Sequence, residues 1–296
     1  MNPKLKSRPI KFDDEIAFII QIPDSNDEIN CNKITPNCVT QYLLNITDEN
    51  LIFSPKQQKG KIKVYNRSEI YLIQKKPFLQ KKVSLEIYFN TGKSLFIVFN
   101  SHSCRNKIFH ILENNTNHHS LKEITSMWQE GKLTNFDYLI KINEFGGRSF
   151  NSPSQYPIFP WVLSDFCSEN IDLSNQNVYR DLSKNMLSIN EKRSIALDSF
   201  YINLNSVLSK GYYMPYSMMP LTAVFSYLKK IQPFSSILFP NNIYEFNDVS
   251  SLYQSSSTEL YDFRELIPEF YYFPEFLTQK QIPKWAKSPI DFVYIM

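Results

Sequence analysis

At 296 residues the chain has room for one large domain or two ordinary ones, and the usual domain size of roughly 100 to 200 residues favours two. Hydrophobic residues make up 43% and aromatics 15%, which excludes a generally disordered chain, while a net charge of +3 is too small to mark a nucleic-acid binder by itself. Cys31, Cys38, Cys104 and Cys167 include no C-x-x-C pair and are too sparse for a disulfide framework, so reduced thiols are expected.

The N-terminus, MNPKLKSRPIKFDDEIAFII, places its basic residues before a short apolar run broken by acids, without the long apolar region and small-residue cleavage site of a signal peptide. No apolar stretch approaches the roughly 20 residues that span a bilayer, so the chain reads as cytosolic. From about residue 34 to 100 apolar and polar residues alternate. In TQYLLNI, Tyr42, Leu44 and Ile46 share a face, and after TDEN a second run, LIF, follows. In SLEIYFNTGKSLFIVF, Leu85, Ile87 and Phe89 alternate with Glu86 and Tyr88, and Asn90, Thr91 and Gly92 supply hairpin chemistry. An antiparallel meander is expected. Then SHSCRNKIFHILENN sets Cys104, Ile108, Ile111 and Leu112 at helical spacing behind a capping serine.

NNTNHHSLK, residues 114 to 122, has no apolar periodicity and reads as a boundary. Beyond it the grammar is helical but irregular. Thr134 and Asp137 form a T-x-x-D cap, Phe136, Leu139 and Ile140 make a stripe, and Gly146 stands where a helix needs a left-handed terminating residue. Asn190 is placed to cap a helix carrying Leu197, Phe200, Tyr201, Leu204, Val207 and Leu208 to Gly211. Another, with Leu221, Val224, Phe225 and Leu228, runs from Pro220 to a stop at Pro233. Between these helices QYPIFPWVL cannot be helical through Pro157 and Pro160, because each removes a backbone donor and clashes with the preceding turn. It must run extended, and its aromatics call for burial.

At this point the residues carry a resemblance. MWQEGKLTNFDYLIKINEFGGRSFNSPSQYPIFPWVLSDF resembles the opening of a BEACH domain: a tryptophan, a Ser/Thr-Asn-Phe helix start, a Gly-Arg-Ser/Thr-Tyr/Phe-Asn step and a Gln-Tyr-Pro-x-Phe-Pro-Trp segment. The likeness continues in family order through YRDLSKNM, INEKR, YLKKIQPF, ELIPEFYYFPEFL and IPKWAKSPIDF. The strand-rich part, including KKPFLQKKVSLEIYFNTGKSLFIVF, resembles the pleckstrin-homology-like (PH-like) domain that commonly precedes BEACH, so the resemblance covers nearly all of residues 34 to 296. It implies an α+β protein: a PH-like antiparallel β-barrel or sandwich with a C-terminal helix, then a mostly α-helical BEACH domain with extended irregular core segments. The expected organisation is a partly flexible segment at 1–33, a PH-like domain at 34–116, a linker at 117–125 and a BEACH domain at 126–296.

The resemblance also carries over residue by residue. Asn135, Phe136, Gly147, Arg148, Asn151, Tyr156, Pro157, Phe159, Pro160, Trp161, Arg180, Asp181, Pro268, Glu269, Phe270, Pro274, Glu275 and Trp285 fall on family motif positions and are the expected structural or partner-binding residues. Gly147 is expected to permit close approach, and Arg148 to satisfy buried carbonyls or a carboxylate. There are departures. The family's Tyr-Gly-Ser/Thr-His-Tyr-Ser region falls near YYMPYSMMPL without its glycine and histidine, and Ser152 stands where the family often has Asp. The usual Phe-Asp-Leu-Gly insert between FLTQK and IPKWA is missing. The chain stops at Met296 before the family's closing segment, with no WD-repeat propeller, so a divergent, C-terminally shortened member or a truncated gene product is expected.

Catalytic chemistry has little to work with. His102, His110, His118 and His119 all precede the BEACH-like half, which argues against a Ser-His-Asp or Cys-His centre there, and no H-x-x-x-H spacing supports zinc. Gly146-Gly147 matches no nucleotide-loop pattern. No catalytic, cofactor-binding or metal-binding residue is therefore assigned, and neither nucleic acid nor a small-molecule substrate is expected. Between Lys56 and Lys82 lie nine basic residues against one acid, Glu69, and Lys75, Lys76, Lys81 and Lys82 are the candidates for facing anionic lipid. The plainer reading is solvated strand edges guarded by lysine.

By resemblance the chain is a non-enzymatic adaptor in vesicle traffic, lysosome-related organelles or autophagy, cytoplasmic and peripheral on endomembranes. It would hold protein partners in a groove between its two domains and associate with membrane weakly or indirectly. The alternatives are a direct membrane-binding module using the basic face of the PH-like domain, and a degenerate paralogue without a stable fold.

Overall fold

A computed structural model describes residues 29–36, 38–57, 60–113, 120–196, 199, 221–229, 231, 234–236, 247–259, 262 and 264–296. The chain divides into two compact units, Met1–His118 and His119–Met296.

The first unit is one antiparallel sheet of seven strands in the order β4-β3-β2-β1-β7-β6-β5. The strands are β1 (Ile29–Thr35), β2 (Cys38–Ile46), β3 (Asn50–Pro55), β4 (Lys63–Asn66), β5 (Ile70–Phe78), β6 (Lys81–Phe89) and β7 (Ser94–Phe99), followed by helix α1 (His102–Glu113). Alternating residues put Tyr42, Leu44, Leu51, Phe53, Leu85, Ile87, Phe89, Leu95, Ile97 and Phe99 into one core with Ile108 and Leu112 of α1. The sheet curls far enough for Tyr65 of β4 to stack on Phe89 of β6, ring centroids 5.4 Å apart. It is a half-barrel with a helix across it, consistent with the expected PH-like fold, and the β6–β7 hairpin turns through Gly92 at φ +76°.

Two expectations fail in this unit for physical reasons. Strict alternation on β6 makes Glu86 and Tyr88 solvent residues, yet the strand is buried on both faces from Ser84 to Phe89. Glu86 can be buried because Lys76 Nζ lies 2.5 Å from its Oε2 and Ser94 donates to its Oε1 at 3.2 Å. Lys76 therefore does not face lipid. On α1, Ile111 is exposed while Arg105 is buried, so the apolar stripe is narrower than the spacing suggests.

The second unit begins inside the stretch read as linker. Ser120 and Glu123 form a reciprocal capping box (3.2 and 2.7 Å), which starts helix α2 (Leu121–Gln129). Thr134 caps α3 (Asn135–Phe145) by accepting from Asp137 N at 3.0 Å, as the T-x-x-D spacing predicts. Residues 191–196 are helical and Asn190 accepts from Arg193 N; Leu197, Phe200, Tyr201, Leu204, Val207, Leu208 and Gly211 lie outside the described residues, as do Pro220 and Pro233. The short helix α4 (Met186–Ile189) precedes that segment, and α5 (Leu221–Leu228), α6 (Val249–Thr258), α7 (Glu269–Tyr272) and α8 (Pro289–Ile295) follow it. Around them runs irregular chain, packed into one core from Tyr156 to Phe292.

Candidate functional site

The expected motif residues converge on the extended segment from Tyr156 to Ser164. With prolines at 157 and 160 the segment cannot form a continuous ladder, so its polar groups are met piecemeal. Phe159 makes an antiparallel bridge with Leu266, each N–H donating to the other carbonyl at 2.9 Å. Leu163 bridges Tyr179, with Ser164 N on Val178 O at 2.8 Å and Arg180 N on Val162 O at 2.9 Å. Side chains close the remaining gaps. Asn143 of α3 accepts from Ile158 N at 2.8 Å and donates to Ile158 O at 2.9 Å, a two-point clamp on one peptide position.

Glycines 146 and 147 deliver the chain from α3 into this segment, with roles opposite to those expected. Gly146 has φ −75°, whereas Gly147 has φ +72°. Gly147 N donates to Glu144 O and Arg148 N to Asn143 O, both at 2.9 Å, the double closure of a Schellman turn in which the left-handed residue follows the cap. A Cβ on Gly147 would meet nothing within 4 Å, so close approach is not its purpose; at Gly146 it would stand 3.2 Å from Asn143 O. The turn aims Arg148, half-buried, at the Tyr156 carbonyl, 3.0 Å from Nη1.

Two buried carboxylates hold the segment from the other side. Glu265 accepts from Trp161 N at 3.0 Å and from Arg180 Nη1 at 2.8 Å, while Trp161 Nε1 donates to Arg264 O at 2.8 Å. Burial pushes the Glu265 carboxyl above its usual range, against the pull of Arg180. Glu269, at the start of α7, accepts from Tyr156 Oη at 2.7 Å and more weakly from Tyr272 at 3.4 Å; burial raises its pKa too. Phe136 packs on Phe159 and Tyr272, and Phe270 on Tyr227 and Phe276. Pro157 and Pro268 are buried, and the half-buried Pro160 accepts from Tyr271 Oη.

Not every expected residue belongs to this cluster. Asn135 accepts from Trp128 Nε1 at 2.9 Å, and Trp285 donates to Asp165 O at 3.0 Å. Asp181 is exposed and caps its own loop through Ser183, Glu275 is exposed, Pro274 is half-buried, and Asn151 N donates to Ser149 at 3.3 Å. In the first unit Lys75, Lys81 and Lys82 are exposed; Lys75 Nζ lies 3.8 Å from the Phe109 ring centroid.

Sequence reasoning missed the residue with the most backbone partners. Arg193 is buried and donates to the carbonyls of Met186, Leu187, Ser256, Glu259 and Asp262, tying α4 and the next helix to the end of α6. Asn143 and Glu265 were missed as well. For Asn143 the signal was an amide on the stripe of Phe136, Leu139 and Ile140; for Glu265 and Arg193 it was a charge inside the quoted motif segments. Chemically, the cluster binds backbone. Its carboxylates face amide, guanidinium and phenol donors, and the chain has no histidine after His119.

Among the described residues no group of three or more His, Cys, Asp or Glu is placed to hold a metal ion, and no helix is long and apolar enough to cross a membrane. The family model for the Beige/BEACH domain matches residues 126–296. The chain is similar to the human lysosomal-trafficking regulator, 30% identical over 239 residues, covering 72% of this chain and 6% of that protein. It is also similar to human WD repeat- and FYVE domain-containing protein 4, 34% identical over 230 residues, covering 68% of this chain and 7% of that one. The chain thus spans a small fraction of the length of these relatives.

Proposed function

The chain belongs to the Beige/BEACH family, and from that premise we propose that it is a non-catalytic adaptor of vesicle and lysosomal traffic that binds protein partners through its PH-like and BEACH units. The observation that carries this is how the motif charges are used: Arg180 pairs with Glu265, which also accepts from Trp161 N, Arg148 donates to the Tyr156 carbonyl, and Glu269 accepts from the Tyr156 hydroxyl. The similarity to the human lysosomal-trafficking regulator supports the cellular setting. Lysosome-related organelles and autophagy are the processes in which such an adaptor would act, from a cytoplasmic position peripheral to endomembranes. The step from family to role is analogy, since folds host many functions.

Membrane contact is then indirect. With Lys76 paired to Glu86, three exposed lysines remain of the four candidates, each contributing about 1 kcal/mol near an anionic surface, and stable anchoring ordinarily takes a second signal. Sedimentation of the full chain with phosphoinositide-containing liposomes across a salt series tests this. The protein should stay in the supernatant at physiological salt. Binding that survives salt and disappears on Lys75→Glu, Lys81→Glu and Lys82→Glu together would replace the adaptor with a membrane module.

A further inference from the structure

The two edges of the seven-stranded sheet are treated differently. Among the described residues β5 has no strand on its outer side, but its Ile70, Tyr71, Leu72 and Ile73 are all buried. At the other edge β4 is open, and among the described residues no strand pairs with its outer side. Arg67 N donates to Glu49 O at 2.7 Å, which sets the ladder phase: Lys63 and Tyr65 point their peptide groups at β3, while Val64 and Asn66 turn theirs outward. The side chains sort by the same alternation. Val64, 58% exposed, leaves one face of β4 and the exposed Lys63 the other, and Lys61 and Ile62, both exposed, immediately precede the strand. Lys56 precedes them, and no Asp or Glu occurs from Pro55 to Ser68. The local field is positive enough that the Lys63 charge, after desolvation, helps push the Lys33 pKa down.

We propose that the free edge of β4 is a docking strand for an extended segment of a partner protein in which acidic and aliphatic residues alternate. The inference rests on the adaptor reading and names the chemistry of one partner. An added strand would exchange hydrogen bonds with the outward peptide groups of Val64 and Asn66, set an aliphatic side chain beside Val64, and lay its carboxylates beside Lys63 and the preceding Lys61. Lysine on an edge deters neutral and basic strands; toward an acidic one the same charge selects. A bilayer fits worse, because Lys63 and Val64 leave opposite faces of the strand and a flat surface cannot meet both.

The test uses the full chain and a fluorescein-labelled peptide, EVEVEVE, read by anisotropy, with KVKVKVK as control. The acidic peptide should bind in a salt-sensitive way and the basic one should not. Val64→Pro removes an outward N–H without touching the β3 ladder, so it should weaken binding at least about tenfold with an unchanged melting temperature. Lys61→Glu with Lys63→Glu should exchange the preference for the two peptides. Absence of acidic-peptide binding, or binding indifferent to Val64→Pro, overturns the proposal. So does capture by phosphatidylserine vesicles that is lost in the double glutamate variant and kept in Val64→Pro, or self-association through the edge. If partners still co-purify with Val64→Pro while the peptide result fails, the docking strand is wrong and the adaptor reading stands; a chain that retains no protein partner ends both.

Discussion

The first unit satisfies its backbone with a ladder, and the second satisfies much of its backbone with side chains. In the sheet every interior strand pairs on both sides, which leaves side chains free to be apolar, and the core is a list of Leu, Ile, Phe and Tyr. In the second unit the Pro-interrupted segment at 156–164 and the turns near 186 and 259 have no ladder to join. Arg193, Asn143, Glu265 and Arg148 supply the missing donors and acceptors from within the fold. Buried charge is expensive, and it is tolerated at Arg193, which meets five carbonyls, and at Glu265, which meets a guanidinium and a backbone N–H. The contrast teaches that a polar cluster among motif residues can be architecture.

The strongest way to break this comparison is to remove the partner-rich arginine. Arg193→Ala leaves several buried carbonyls unpaired and should destabilise by about 3–5 kcal/mol in urea unfolding, on the scale of breaking a buried charged group. Leu85→Ala in the sheet should cost about 2–5 kcal/mol, and there the loss should track cavity volume. If Arg193→Ala is as mild as a surface substitution, side chains do not carry the irregular backbone.

A smaller effect separates the two glycines. Gly147→Ala must hold a left-handed backbone at φ +72° and should cost about 1–2 kcal/mol by thermal melt, with no clash to relieve. Equal tolerance of alanine and glycine at 147 would mean that the Schellman turn is not held in solution.

The smallest effect is a pH slope. The Glu144 Oε2 atom has no hydrogen-bond donor, Lys141 Nζ stands 3.6 Å away, and burial pushes the carboxyl up to about 8 from 4.5. Between those values the folded state keeps a proton that the unfolded chain has released, so stability falls as pH rises through this window. Glu144→Gln cannot titrate and should flatten the fall in melting temperature across it; an unaltered slope would place the proton elsewhere.

How legible each unit was follows from the same contrast. Strand alternation is a local signal, so the meander and α1 could be read from Tyr42, Leu44, Leu85 and Ile87, whereas the Lys76–Glu86 pair broke the assumption that one face of β6 is wet. The Pro and aromatic content of 156–161 announced an extended buried run. Its clamps were not announced. Arg193 binds carbonyls 63, 66 and 69 positions away, and a carbonyl belongs to every residue type, so no complementary residue exists to be found. The glycine pair showed where α3 ends but not which member turns left-handed, because that depends on where the last helical hydrogen bond closes.

The three tryptophans, Trp128, Trp161 and Trp285, all lie in the second unit, and the latter two are buried with their indole N–H groups on carbonyls. Indole emission excited at the red edge is therefore a private optical channel for the side-chain-stapled half, in which the sheet, rich in tyrosine and phenylalanine, is dark. Spectroscopy that sees both halves, set beside emission that sees one, would resolve the order in which they come apart without any label or engineered fluorophore.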